Sequence, residues 1–160
     1  MDSFHCSGKN LDKKDLFGKS DGYFKIYRTK ESQEPQLVYE SEVVMKTLNP
    51  QWKEATETVQ KLCNLDMDRP LKFEVWDWDK HSSHDLMYVF FCYHLICRGE
   101  FTTSLSAILN GKKEHAIIHP KKKTKNDYQN SGIFVFDIAK ITENTSYVIN
   151  CFYYSKSLDL

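Results

Sequence analysis

Short stretches of alternating apolar and polar residues run along this chain, separated by polar turns. The clearest is Leu71 to Trp76. Leu71, Phe73 and Val75 fall on one side and Lys72 and Glu74 on the other, the period of a half-buried strand. Tyr23 to Tyr27 alternates in the same way. Leu37 to Val44 has mixed β character, and Leu48-Asn49-Pro50 beyond it signals a turn. Trp52 to Val59 is mostly polar and reads as an edge strand or a short helix. Phe101 to Leu109 reads as extended at its start and as a helical turn at its end. His115 to Ile118 and Ile133 to Phe136 are further short strands, the second opened by Asn130-Ser131-Gly132. Tyr147 to Tyr154 is apolar and β-prone but lacks a clean alternation. Seven or eight short strands with no long amphipathic helix predict an all-β antiparallel sandwich or barrel.

Composition narrows the class. A length of 160 residues suits one domain. A hydrophobic content of 41% with 14% aromatics excludes global disorder. Lysine and arginine total 22, aspartate and glutamate 22, which argues against a surface coated in positive charge for nucleic acid. The five cysteines are odd in number and form no CxxC pair, so neither a zinc framework nor a secreted disulfide scaffold is supported. Met1 to Asn10 lacks a basic region followed by an apolar run, which predicts no signal peptide and a reduced, cytoplasmic protein. Asn144-Thr145-Ser146 then matches a glycosylation acceptor by chance. The longest apolar run, Leu86 to Cys97, falls short of the roughly 20 residues a spanning helix needs.

The candidate chemistry is acidic. Asp15 and Asp21 precede the Tyr23 strand, and Asp77, Asp79 and Asp85 follow the Phe73 strand. Residues two apart in an extended chain share a side, so Asp77 and Asp79 can converge. Aspartates from loops meeting at one end of a sandwich could cage calcium, which takes about six to eight hard oxygen ligands. Aspartate also bends and caps polar turns without any ligand, and spacing alone leaves both readings open. No EF-hand spacing fits, and His81 and His84 lack a second pair of zinc ligands. There is no GxSxG, Walker loop or justified Cys–His pair, so no enzyme is indicated.

At these same residues the chain closely resembles a known family. Asn10 to Asp21 is similar to the first calcium-binding loop of the second C2 domain of copines. So are Glu42 to Trp52, Trp76-Asp77-Trp78-Asp79, Ser83 to Leu86, Gly99 to Ser104, and the Lys121 run with Asn130-Ser131-Gly132. The resemblance covers about residues 5 to 138 and implies an eight-stranded antiparallel β-sandwich. It implies Ca²⁺ bound in loops at one end, with Asp15 and Asp21 as first-loop ligands and Asp77, Asp79 and Asp85 as third-loop ligands. Anionic phospholipid would then complete the shell. On this reading residues 1–141 are the C2 domain, with a short first strand, and 142–160 a divergent tail. Whole copines carry two C2 domains and a von Willebrand factor A-like domain, and this length holds one C2 domain. Gly22 stands where the family usually has proline.

The largest departure is Met87 to Arg98, which stands where the family pattern has a single isoleucine before Gly99. It reads as an atypical splice form or gene-model artefact that perturbs the next strand, as a rebuilt strand or buried segment, or as a membrane-inserting loop. The implied function is calcium-dependent docking on anionic membranes, with recruitment from the cytoplasm to the plasma membrane. Phe17 at the first loop and Lys121, Lys122, Lys123 and Lys125 are the candidate membrane contacts. The alternative is a protein-interaction C2 domain with weak or lost calcium binding.

Overall fold

In a computed structural model of the chain, residues 2–12, 20–29, 33–79 and 94–141 are described, with only the backbone for 2, 79 and 94–96. The alternation of Leu71 to Trp76 forms the heart of β5 (Leu71–Asp79), whose residues Leu71, Phe73, Val75 and Asp77 are all buried. The remaining strands are β1 (Asp2–Lys9), β2 (Gly22–Arg28), β3 (Gln36–Glu40), β4 (Ala55–Glu57), β6 (His94–Thr103), β7 (Glu114–Ala116) and β8 (Ile133–Lys140). They form two four-stranded antiparallel sheets, ordered β4-β1-β8-β7 and β3-β2-β5-β6. The predicted eight-stranded all-β sandwich is therefore the observed fold.

Of the two alternatives for Trp52 to Val59, the edge strand is the one it forms, and the short helix begins only at its last residue. Ala55–Glu57 is the edge strand β4, and α1 (Val59–Cys63) follows directly. Thr58 caps α1 by accepting a hydrogen bond from the Lys61 amide at 3.1 Å, and Asn64 ends it in the left-handed region at φ 55°. Phe101 to Leu109 likewise splits into the end of β6 and the short α2 (Leu105–Leu109), capped by Ser104. Of the Met87 to Arg98 segment, 87–93 lie outside the described residues. Its last residues, His94 to Arg98, extend β6 along Asp79 to Trp76 of β5. The strand β1, expected to be short, spans 8 residues and lies between β4 and β8.

The two sheets meet on a cluster of rings. Phe24 packs edge-on to Trp52 at 4.9 Å and to Phe134 at 5.0 Å, while Phe73 stacks on Phe101 at 4.9 Å. Trp52, read in the sequence as part of a strand or helix, is a core plug instead: it is 1% exposed and donates its indole N–H to the Gly22 carbonyl at 3.1 Å. Among the described residues no helix is long and apolar enough to cross a membrane.

His115 closes one flank of this cluster. Its ring stacks on Phe101 at 4.7 Å and meets Phe136 edge-on at 5.6 Å. The Lys112 carbonyl can only accept, so Nε2, 3.1 Å away, carries the proton. Burial holds the imidazole below its ordinary 6.5, outweighing that hydrogen bond. The unfolded chain therefore takes up the proton more readily than the native state. Stability is complete above about pH 6.5 and is lost as pH falls through the depressed native value. The melting temperature should fall on acidification below about pH 6.5, and His115→Phe should flatten that limb. Differential scanning fluorimetry across the range checks both; an unchanged limb in the variant assigns the acid sensitivity elsewhere.

Candidate functional site

Asp77 lies on the core face of β5, one step beyond Val75, and is 3% exposed. A carboxylate there needs partners, and it has them. Oδ1 accepts from the Ser20 hydroxyl at 2.6 Å and from the Asp21 amide at 2.9 Å. Oδ2 accepts from Nη2 of Arg98 at 2.5 Å. Arg98 is itself 5% exposed. Its Nη2 also donates to Ser20 Oγ at 2.8 Å, and its Nη1 donates to the Asp12 carbonyl.

The second predicted aspartate stands beside the first. Gly22, at the start of β2, pairs with Asp77, and the Trp78 amide donates to the Asp21 carbonyl at 2.9 Å. Asp21 Oδ1 accepts from the Lys46 amide at 2.6 Å, which ties the 44–47 turn to the same end. The Gly22 amide donates to the Val44 carbonyl at 3.0 Å, a bond that a proline at this position could not make.

The lysine run reaches this end too. Lys122 Nζ pairs with Asp12 Oδ2 at 2.7 Å, at the start of the acidic first segment. Burial raises the Asp12 carboxyl, but hydrogen bonds from Lys122 and Ser131 and the charges of Lys122 and Arg98 outweigh it and hold it below its ordinary 3.8. The Asp12 amide donates to the Ser131 carbonyl, and the Tyr128 hydroxyl accepts from the His119 amide at 2.8 Å, pinning the loop. Lys121, Lys123 and Lys125 are left exposed along it.

The structure thus brings Asp21, Asp77 and the lysine run to one end. Asp15, Phe17 and Asp85 lie outside the described residues, as do His81, His84 and the side chain of Asp79. The sequence reading missed Ser20, Asp12 and above all Arg98.

Residues 4–117 match the C2 domain family. The chain belongs to the C2 domain family. Within that family this C2 chain is copine-like. It is 42% identical to Copine-D of Dictyostelium discoideum over 91% of its length, and 41% identical to Copine-C of the same organism over 82%. It spans 24% and 22% of those two relatives, so about a quarter of each. Among solved structures, BON1-C2B superposes with a TM-score of 0.67 at 23% identity, covering 89% of this chain and 91% of that one. A C2 domain of plant extended synaptotagmin 1 gives 0.50 at 21% identity, covering 89% and 97%. These two likenesses concern the fold.

C2 domains typically bind Ca²⁺, so the described residues can be tested against that ion. Among them no group of three or more His, Cys, Asp or Glu side chains is placed to hold a metal. At Asp77 the arrangement does not fit. Both its oxygens are engaged, and a guanidinium lies against one of them. A divalent ion sharing that carboxylate would sit about 4 Å from the guanidinium charge, a repulsion of roughly 8 kcal/mol at an effective dielectric constant near 20.

Proposed function

We propose that this C2 domain is a binding module that docks peripherally on anionic phospholipid surfaces through the end carrying Asp21, Asp77 and the 121–125 loop. One observation carries the reading. The chain of contacts Asp77–Arg98–Asp12–Lys122 ties the lysine loop to Asp12 and Asp77, with Lys121, Lys123 and Lys125 exposed. Each lysine near an anionic membrane contributes about 1 kcal/mol, over a Debye length of about 8–10 Å.

Calcium enters this reading in two forms. In the first, Asp15, Asp21, Asp77, Asp79 and Asp85 bind Ca²⁺ and switch the end from repelling to attracting lipid headgroups. Family membership and the meeting of Asp21 with Asp77 support it. In the second, calcium binding is weak or lost, and the exposed lysines supply the attraction. The Asp77–Arg98 ion pair favours the second form.

Co-sedimentation of the full chain with phosphatidylserine vesicles, in Ca²⁺ and in chelator, tests the proposal. Binding in both conditions is expected, weakened by salt and by about tenfold or more in the triple variant Lys121→Glu, Lys123→Glu, Lys125→Glu. Binding only with Ca²⁺ would restore the first form. No binding in either condition would sink the docking reading.

A further inference from the structure

We infer that Arg98 is a built-in cation that takes the place of calcium at Asp77, making this part of the site insensitive to the ion. The inference deepens the second form of the proposed function, and its grounds are independent of lipid.

The first ground is how Arg98 comes to point inward. Strand β6 pairs with β5 as Val75 with Gly99 and then Trp76 with Cys97, so Arg98 is the extra residue of a β-bulge. Counting by twos from Phe101 and Gly99, Arg98 would fall on the outer face with Glu100. The bulge reverses that parity and turns its side chain to the face that holds Asp77. Gly99 fixes the bulge in place. A Cβ there would come within 2.7 Å of the Ile118 carbonyl carbon, where the 118 backbone bonds to Glu100 in both directions.

The second ground is what the guanidinium joins. It binds the Asp77 carboxylate, the Ser20 hydroxyl and the Asp12 carbonyl. Two of these belong to the segment before β2 and one to the end of β5. Those are the two acidic segments a metal would have to bridge, and one side chain bridges them with three hydrogen bonds from the two terminal nitrogens of its planar fork. Among the described residues Nε of Arg98 is buried without a hydrogen-bond partner, so the residue is held by its terminal nitrogens alone.

The test uses the full chain without lipid, so its failure is distinct from failure of membrane docking. Wild type, Arg98→Gln, Arg98→Lys and Asp77→Asn are melted in Ca²⁺ and in chelator and titrated with Ca²⁺ by calorimetry. Wild type and Arg98→Lys should melt at the same temperature in both conditions. Arg98→Gln should melt lower in chelator, recover with Ca²⁺, and gain about tenfold or more in calcium affinity. Folding of Arg98→Gln only when Ca²⁺ is present would support the inference equally. A folded Arg98→Gln with no gain in calcium affinity would overturn it. So would a wild-type calcium signal that Asp77→Asn abolishes, and that arm decides alone if Arg98→Gln folds in neither condition.

Discussion

Phe134→Ala is expected to lower the stability of this domain by about 3–5 kcal/mol, the upper range for a large buried ring. Phe134 is 0% exposed and lies in β8, in the centre of its sheet. Its ring nevertheless contacts rings from the opposite sheet: Phe24 at 5.0 Å, Phe73 at 5.6 Å and Phe101 at 5.2 Å. It also stacks on Trp52 at 5.5 Å, in the segment that leads to β4. Truncation therefore opens a void where β2, β5, β6 and β8 meet, and backbones held in two ladders cannot collapse to fill it. Each ring pair adds about 0.5–1.5 kcal/mol beyond the area it buries. Phe134→Leu keeps most of the volume and should cost much less, under about 2 kcal/mol. Urea unfolding with unchanged m-values checks both. A loss below about 1 kcal/mol for the alanine variant would mean that Phe134 does not join the two sheets.

The fold was legible where burial is one-sided. Residues 71–76 and 23–27 alternate because one face of each strand meets the ring cluster, while the other carries the half-buried Lys72, Glu74, Lys25 and Tyr27, with Tyr23 its buried exception. β1 carried no such signal. Its sequence DSFHCSGK places only Phe4 and Cys6 as apolar anchors, and pairing with β4 and β8 holds it in the middle of its sheet. The first half of β6 has no period either, because apolar residues run through the Leu86 to Cys97 stretch without alternation. The candidate site divides in the same way. Asp21 and Asp77 were paired from two acidic segments, and the Gly22–Asp77 register places them together. Arg98 was invisible because its direction depends on one bulged residue, and simple alternation assigns it to the wrong face. The Lys122–Asp12 pair spans 110 positions, and no local pattern announces it.

Asp77→Ala should be the most damaging change at the candidate site, costing about 3–5 kcal/mol. The side chains of Asp77 and Arg98 are 4% and 5% exposed, so water cannot replace the lost carboxylate. The guanidinium would stay buried with only Ser20 Oγ and the Asp12 carbonyl as acceptors among the described residues. Ser20 and the Asp21 amide would lose their acceptor at the same time. The cost is that of a stranded charge, which is larger than the net worth of the pair, since burying both ions was itself unfavourable. That distinction has a measurable consequence. Adding Arg98→Met to Asp77→Ala removes the stranded charge and restores apolar volume. The double variant should therefore be more stable than Asp77→Ala alone, with a coupling of about 0.5–3 kcal/mol between the two sites. Urea midpoints at constant m-value give all four corners of the cycle. Strictly additive losses would mean that the two side chains do not sense each other, and the ion pair at this end of the sandwich would then have no energetic role.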